Sequence, residues 1–276
     1  MADTDIVITR LTAEDAPAGL LLSTEAHWNQ NEADWRFFLS QGTVFGVRDS
    51  DGRLVASAAL LPYTSGNAWI SMVLVTANWR RRGLATRLVD ACLAEAAKQG
   101  LTTWLDATPA GATVYGPLGF TPTLELRRLR LENLGPPKAA TLPLLSSYNL
   151  GEFISRDVGA MGFDRSALLS ELCARPNSRS LSHGDAVALV RDGRKARHIG
   201  PLFADKAHHA LELVDAIVRS ETSPVLIDAV NSHQEFLNGL TASGWTIERP
   251  FQRMRFGTAV VLPAKSPFAV AGPEYG

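Results

Sequence analysis

The stretch Trp79-Arg80-Arg81-Arg82-Gly83-Leu84-Ala85-Thr86-Arg87-Leu88 follows the apolar run Trp69 to Val75 with no turn-rich interval between them. That run, rich in Val, Leu, Ile, Met and Trp, reads as a strand, and Leu84 onward reads as an amphipathic helix. A strand therefore feeds a glycine-bearing basic loop that opens a helix. Phosphate binds well in such a place, because the free N–H groups at a helix N-terminus converge on an anion and the helix dipole favours negative charge there. Gly83 puts no side chain between a ligand and those amides, and Arg80, Arg81 and Arg82 add charge.

Upstream, Thr43 to Val47, Arg53 to Pro62 and Ala68 to Val75 are strand-like runs joined by Asp49-Ser50-Asp51-Gly52 and Tyr63-Thr64-Ser65-Gly66-Asn67. Asp-Gly and Gly-Asn connections are hairpin chemistry, so an antiparallel meander ends at the basic loop. Before it come a short strand over Ile6 to Thr9, a helix through Leu20 to Ala26, and a second helix from Asn31 that carries Trp35, Phe38 and Leu39. Downstream, the helix from Leu84 sets Leu88, Val89, Cys92, Leu93 and Ala96 on one side and stops at Gly100, as a C′ glycine requires. Thr103 to Ala107 is the next strand, Thr108-Pro109 starts a short helix with Tyr115, and after Gly119-Phe120 the run Leu124 to Leu131 is expected to close the sheet.

Two of these features resemble the GNAT N-acetyltransferases. Arg80-x-x-Gly83-x-Ala85 resembles that family's acyl-CoA pyrophosphate motif, Q/R-x-x-G-x-G/A, and the Tyr115 helix followed by Gly119-Phe120 resembles its second hallmark. The resemblance implies an α/β (α+β) fold, a mixed, mostly antiparallel sheet flanked by helices. It implies acetyl-CoA as cosubstrate and transfer of the acetyl group to a primary amine by direct attack in a ternary complex. Pyrophosphate would rest on the amides of Arg81, Arg82, Gly83, Leu84, Ala85 and Thr86, with Arg80 beside them, and the acyl-pantetheine arm along Val73, Leu74 and Val75. Thr108 would border the cofactor where the family often has asparagine, and Tyr115 would protonate the departing thiolate. In the family the two N-terminal helices border the acceptor site, which makes Glu25, Trp28 and Trp35 acceptor-site candidates. Glu25, His27, Glu32 and Asp34 are the nearby titratable groups, none singled out as the base; Asp106 could face either side of the sheet.

From Glu132 to about Tyr148, with Gly135-Pro136-Pro137-Lys138 and Leu142-Pro143, helical periodicity is lost, so 133–148 reads as a linker between 1–132 and 149–276. Beyond it a helix opens at Asp164-Arg165-Ser166. Strands over Ala186 to Arg191 and Ala196 to Ile199 follow, then a helix after Asp205 burying Ala207, Ala210, Leu211, Val214, Ile217 and Val218. A strand over Pro224 to Val230, a helix opened by a Ser232-x-x-Glu235 capping box, and one or two strands over Thr246 to Phe256 complete the chain. The order repeats that of the first half and resembles the degenerate GNAT-like C-terminal domain of some bacterial two-domain members. At the place of the arginine-rich loop it has Ile199-Gly200-Pro201-Leu202-Phe203-Ala204, without the basic residues, so only the first half is expected to hold acyl-CoA.

The 276 residues allow two domains, and 46% hydrophobic with 20% charged residues describes a globular protein with ample cores. A net charge of −1 gives no support for nucleic acid as a global partner. No apolar run reaches the roughly 18 residues of a membrane span, and Met1-Ala2-Asp3-Thr4-Asp5 has no secretory character, so no membrane partner and a cytoplasmic location are expected. The two cysteines, Cys92 and Cys173, lie in helix-like apolar patterns and read as buried thiols, and no Cys/His spacing suits a metal. Two other readings compete. One is a non-catalytic acyl-CoA sensor on the same scaffold, against which Tyr115 argues; the other is a nucleotide-binding module, disfavoured because no Lys-Ser/Thr follows Gly83.

Overall fold

The computed structural model describes residues 6–134, 149–257 and 266–276, so the expected linker lies almost wholly outside the described residues. The first half runs β1 (Ile8–Arg10), α1 (Ala16–Glu25), α2 (Glu32–Gln41), β2 (Thr43–Arg48), β3 (Leu54–Tyr63), β4 (Asn67–Val75), α3 (Leu84–Lys98), β5 (Thr102–Ala107), α4 (Pro109–Tyr115) and β6 (Thr121–Leu131). The second runs α5 (Leu150–Met161), α6 (Ser166–Ala174), β7 (Arg179–His183), β8 (Ala186–Arg191), β9 (Arg197–Phe203), α7 (Ala207–Ser220), β10 (Val225–Val230), α8 (Gln234–Ala242) and β11 (Thr246–Phe256).

Among the described residues all the strands join one sheet of order β1-β2-β3-β4-β5-β11-β6-β10-β9-β8-β7. Neighbours are antiparallel except β4 with β5 and β9 with β10. This corrects the expectation that Leu124 to Leu131 closes the first half's own sheet. Strand β11 lies between β5 and β6, and β6 pairs with β11 and β10, so each half completes its sheet with the last strand of the other. Buried ion pairs tie the exchange: Asp106 on β5 takes both arms of Arg253 on β11 at 2.8 and 2.9 Å, and Arg128 on β6 meets Asp228 on β10 at 2.8 Å through both nitrogens. Burial works against the Asp228 carboxylate, but Arg128 and the His198 ring, whose Nε2 lies 3.2 Å away, more than offset it and hold its pKa well below the usual range.

Helix α3 covers one face of the first half, burying Leu84, Leu88, Val89, Cys92 and Ala96. On the other face α1 and α2 share a core with α5 and α6, in which Trp35, Phe38 and Trp69 join Phe153, Leu168, Leu169 and Tyr275. Helix α7 turns Ala210, Leu213, Val214, Ala216 and Ile217 inward; Ala207, Leu211 and Val218, expected there, sit at the margin. The expected Ser232 capping box does not form: α8 starts from His233 without a side-chain cap, since the turn that closes β10 already uses this backbone, His233 N–H donating to Val230 and Gln234 N–H to Ser232. Helix α5, which the sequence reading passed over, is capped by Asn149, whose Oδ1 accepts from Gly151 N–H at 2.8 Å.

Candidate active site

Strands β4 and β5 pair only over Asn67–Trp69 and Thr102–Trp104 and then part. The parting is built into β4. A register shift against β3 falls between Ser57 and Ala59, Met72 takes φ +51°, and Ser57 Oγ donates to the Met72 carbonyl at 2.8 Å, which holds the bulge. A cleft opens where the strands diverge. Ile70, Ser71, Met72 and Val73 form one wall, Leu105 to Thr108 the other, and Tyr115 closes one end.

At the far end of β4 the basic loop takes a shape suited to an anion. Arg81 and Gly83 both adopt left-handed backbone, φ +62° and +73°. Such alternation turns successive N–H groups toward one concavity, which here runs directly into the first turn of α3. A Cβ on Gly83 would meet nothing within 4 Å, so the space before those amides is open to a ligand. The arginines divide in role. Arg80 donates to the Val75 carbonyl at 3.0 Å, and Arg82 donates to the Asn78 carbonyl and lies over the Trp79 ring. Arg81 makes no hydrogen bond or ion pair among the described residues and is the free cation of the loop. With its carbonyl taken, Val75 offers less backbone to a pantetheine arm than expected; Leu74 is buried, and Val73 alone of the three lines the cleft.

Tyr115 is 9% exposed, its ring against Phe120, and its hydroxyl has no hydrogen bond among the described residues. Burial pushes the phenol pKa up to about 12. Gly111 makes room for the ring, since a Cβ there would stand 2.9 Å from Tyr115 Cε2. Thr108 lines the cleft, but its Oγ1 accepts from Gly111 N–H at 3.1 Å as the cap of α4, so that oxygen serves the helix before any cofactor.

Of the acceptor-site candidates only Trp28 reaches the cleft. Trp35 is fully buried, its Nε1 donating to Ser23 Oγ at 2.6 Å; Gly19 of α1 lets the helices close over it. Glu25 is not in the lining and binds the chain leaving β4, accepting from Thr76 Oγ1 at 2.6 Å and Ala77 N–H at 2.8 Å, and these bonds lower its pKa. Asp34 is buried between Arg175 and the Tyr275 hydroxyl, and Glu32 pairs with Arg36. Asp106 does face the cleft, with both oxygens occupied by Arg253.

The rest of the lining was not foreseen. Gln30 and Trp28 belong to a loop clamped by the second half: Asn29 Oδ1 accepts from Lys195 and Ala196 N–H at 2.9 and 3.0 Å, and Asn29 Nδ2 donates to the Ala196 carbonyl at 3.0 Å. Arg128, Arg249, Phe251, Pro273 and Glu274 complete the wall. The segment 266–276 that carries the last two has no periodicity and few residues, so nothing local marked it.

Comparison with known proteins accords with this geometry. The model described as the acetyltransferase (GNAT) family matches residues 9–120, and one described as an acetyltransferase (GNAT) domain matches 154–268. The chain belongs to the GNAT acetyltransferases, in tandem form. It is 24% identical to "Uncharacterized N-acetyltransferase YitH" of Bacillus subtilis over 84% of this chain and 85% of that one. A Pyrococcus horikoshii protein provisionally described as an acetyltransferase has the same fold, with TM-score 0.81 at 19% identity over 99% of this chain and 97% of its own. So does a tandem GNAT protein from the clavulanic acid biosynthesis pathway, with TM-score 0.67 at 15% identity over 93% and 100%.

In this tandem GNAT chain the second half keeps the parting but not the opening. Strands β9 and β10 pair only over Arg197–Ile199 and Val225–Ile227, as β4 and β5 do. The gap is filled by the chain itself: Leu202 N–H donates to the Ala269 carbonyl at 2.9 Å, Phe268 N–H to the Leu202 carbonyl at 2.8 Å, and Val270 N–H to the Asp228 carbonyl at 3.0 Å. Gly200 allows the approach, for a Cβ there would stand 2.1 Å from the Val270 carbonyl oxygen. The stretch Ile199 to Phe203, read as the counterpart of the basic loop, is therefore strand, and α8 carries no tyrosine.

Proposed function

We propose that the protein transfers an acetyl group from acetyl-CoA to a primary amine by direct attack within a ternary complex, using the first-half cleft alone. What supports the reading most is the combination of open amides and a free Arg81 at the start of α3 with a cleft, at the β4 bulge, lined by Tyr115, whose hydroxyl has no hydrogen bond among the described residues. The amides from Arg81 to Thr86 bind the pyrophosphate. Backbone N–H groups freed where β4 leaves β5 polarise the thioester carbonyl, a contact of a kind worth about 3 kcal/mol in other enzymes. Tyr115 donates to the thiolate as it leaves.

The direct test is thiol release from acetyl-CoA, followed across a panel of amines. Amine-dependent release with formation of the N-acetyl product is expected; tight CoA binding with no turnover on any amine would favour the sensor reading.

Two variants probe the parts separately. Gly83→Val forces a branched residue into left-handed backbone and sets its side chain before the amides. CoA affinity should fall at least about ten-fold by calorimetry, with folded far-UV and near-UV circular dichroism retained. An unchanged affinity would remove the phosphate loop from this assignment. Asn29→Ala deletes the clamp on the Trp28–Gln30 loop and strands buried partners, at a cost of about 2 kcal/mol. It should raise KM for the amine several-fold while leaving KM for acetyl-CoA in place, because on this reading the Trp28 and Gln30 side of the cleft takes the acceptor.

A further inference from the structure

Three buried oxygens in the cleft wall have no hydrogen-bond partner among the described residues: Glu274 Oε2, Ser71 Oγ and Gln30 Oε1. Their residues are 5%, 8% and 6% exposed, so bulk water does not serve them freely. A buried polar atom without a partner is costly, and three of them on residues that line one cleft describe a site for a hydrogen-bond donor. The other charges of the lining are matched: Asp106 by Arg253, Arg128 by Asp228, Arg249 by Glu248. Glu274 alone is half engaged: Arg191 Nη2 holds Oε1 at 3.0 Å, and Oε2, on a residue that lines the cleft, has no partner among the described residues.

The position of Glu274 is built. Trp69 Nε1 donates to the Pro273 carbonyl at 3.0 Å, and Tyr63 Oη donates to the Tyr275 carbonyl at 2.8 Å. The Tyr275 ring stacks on Phe38 at 5.1 Å and its hydroxyl donates to Asp34 at 2.7 Å. Gly272 is needed for the carboxylate to fold back, since a Cβ there would lie 2.7 Å from both Glu274 oxygens. So many anchors for a short irregular segment fix Glu274 in the wall of the cleft.

We propose that Glu274, supplied to the first-half cleft by the C-terminal segment, is the catalytic carboxylate that binds the acceptor, and that the acceptor is a primary alkyl amine held as its ammonium ion by Glu274, Ser71 and Gln30. The proposal rests on the acetyl-transfer reading. An alkyl ammonium carries three N–H donors on one compact charge, which three oxygens satisfy, as with a lysine head group. Arylamines, uncharged at neutral pH, lose that match. The proton balance follows. The ammonium sheds one proton to solvent, and the freed lone pair forms the N–C bond to the acetyl carbon. The nitrogen protons, made acidic by that bond, yield one to Glu274 Oε2. The C–S bond breaks, the thiolate leaves with the electron pair and gains its proton from the Tyr115 side, and Glu274 returns its own to solvent.

The test is ligand-observed NMR titration of the full-length, CoA-saturated protein with n-butylamine, and with n-butanol as the neutral isostere, in wild type and Glu274→Gln. The amide keeps the acceptor for Arg191 and the shape. Expected are binding of butylamine in preference to butanol, a loss of at least about ten-fold for butylamine in the variant, and unchanged CoA affinity, since a charge-assisted bond is among the stronger ones. With a turnover substrate, Glu274→Gln should lower kcat as well as raise KM, which a merely structural role would not require. Ser71→Ala, which removes one oxygen without touching the Arg191 pair, should weaken butylamine several-fold and covers the case of a poorly folding Glu274 variant. Equal binding of butanol, equal butylamine affinity in the variants, or a fall in CoA affinity instead would overturn the proposal. Absence of thiol release with butylamine still bound through Glu274 would sink the acetyl-transfer reading and the proton role, and leave the ammonium site standing.

Discussion

Tyr115→Phe should lower kcat by about 100-fold or more while changing acetyl-CoA affinity little. An ordinary thiol has a pKa near 8.5, so the departing thiolate is a moderate base. The free phenol, near 10, would be a slightly weaker acid; in the protein burial pushes Tyr115 up to about 12. Full proton transfer to the thiolate is then uphill by roughly three and a half units, or about 5 kcal/mol. The useful act of Tyr115 is a hydrogen bond given as the C–S bond stretches, with the proton passing over or arriving from solvent afterwards. Two results separate this from a packing role. The ring of phenylalanine fills the same space against Phe120, so melting temperature should move little. Because the group stays protonated until pH approaches its raised pKa, the wild-type rate should show no alkaline limb from Tyr115 below about pH 11. A Phe variant with near-normal kcat on a good amine would leave solvent as the whole source of the proton.

The residues that spoke from the sequence are those whose job is local. Gly83 needs a left-handed backbone within the turn it belongs to, and Thr108 caps the helix it precedes, so strand, loop and helix could be placed from neighbours alone. Trp28 and Trp35 show where that stops. Both sit at the same helical pair, yet one lines the cleft and the other is walled in because Gly19, on the preceding helix, admits it to the core. Glu25, an acceptor-site candidate in the sequence, is instead held by Thr76 and Ala77, some fifty residues on. Glu274 is the extreme case. Its segment has too few residues for a period, and its meaning comes from Arg191, Trp69 and Phe38, all more than eighty residues away. Which strand closes a sheet is a matter of the same kind: β6 and β11 have similar local patterns, and only the competition among long-range pairings decides that each crosses to the other half.

That exchange makes a chain ending at residue 134 a severe test. From the sequence, a piece ending near Lys138 is expected to bind CoA if it folds, and to lose acceptor selectivity. In the structure it would lose both neighbours of β6, since β10 and β11 belong to the second half, and would expose the edge of β5 that β11 covers. It would also strand Asp106 without Arg253 and Arg128 without Asp228. Removing one partner of a buried pair costs about 3–5 kcal/mol, and here two pairs are broken in a protein whose whole stability is of order 5–15 kcal/mol. A bare strand edge adds a route to aggregation. The 1–134 chain should therefore give no cooperative thermal transition and no CoA binding by calorimetry. Co-expression with 149–276 should restore both, because the second chain brings β10 and β11 to their places and, with 266–276, Glu274 to the cleft. A monomeric 1–134 chain that melts cooperatively and binds CoA would mean that β6 falls back beside β5 when β11 is absent. In that event the exchanged strands would be one choice between two closures of similar energy, and the first half a domain in its own right.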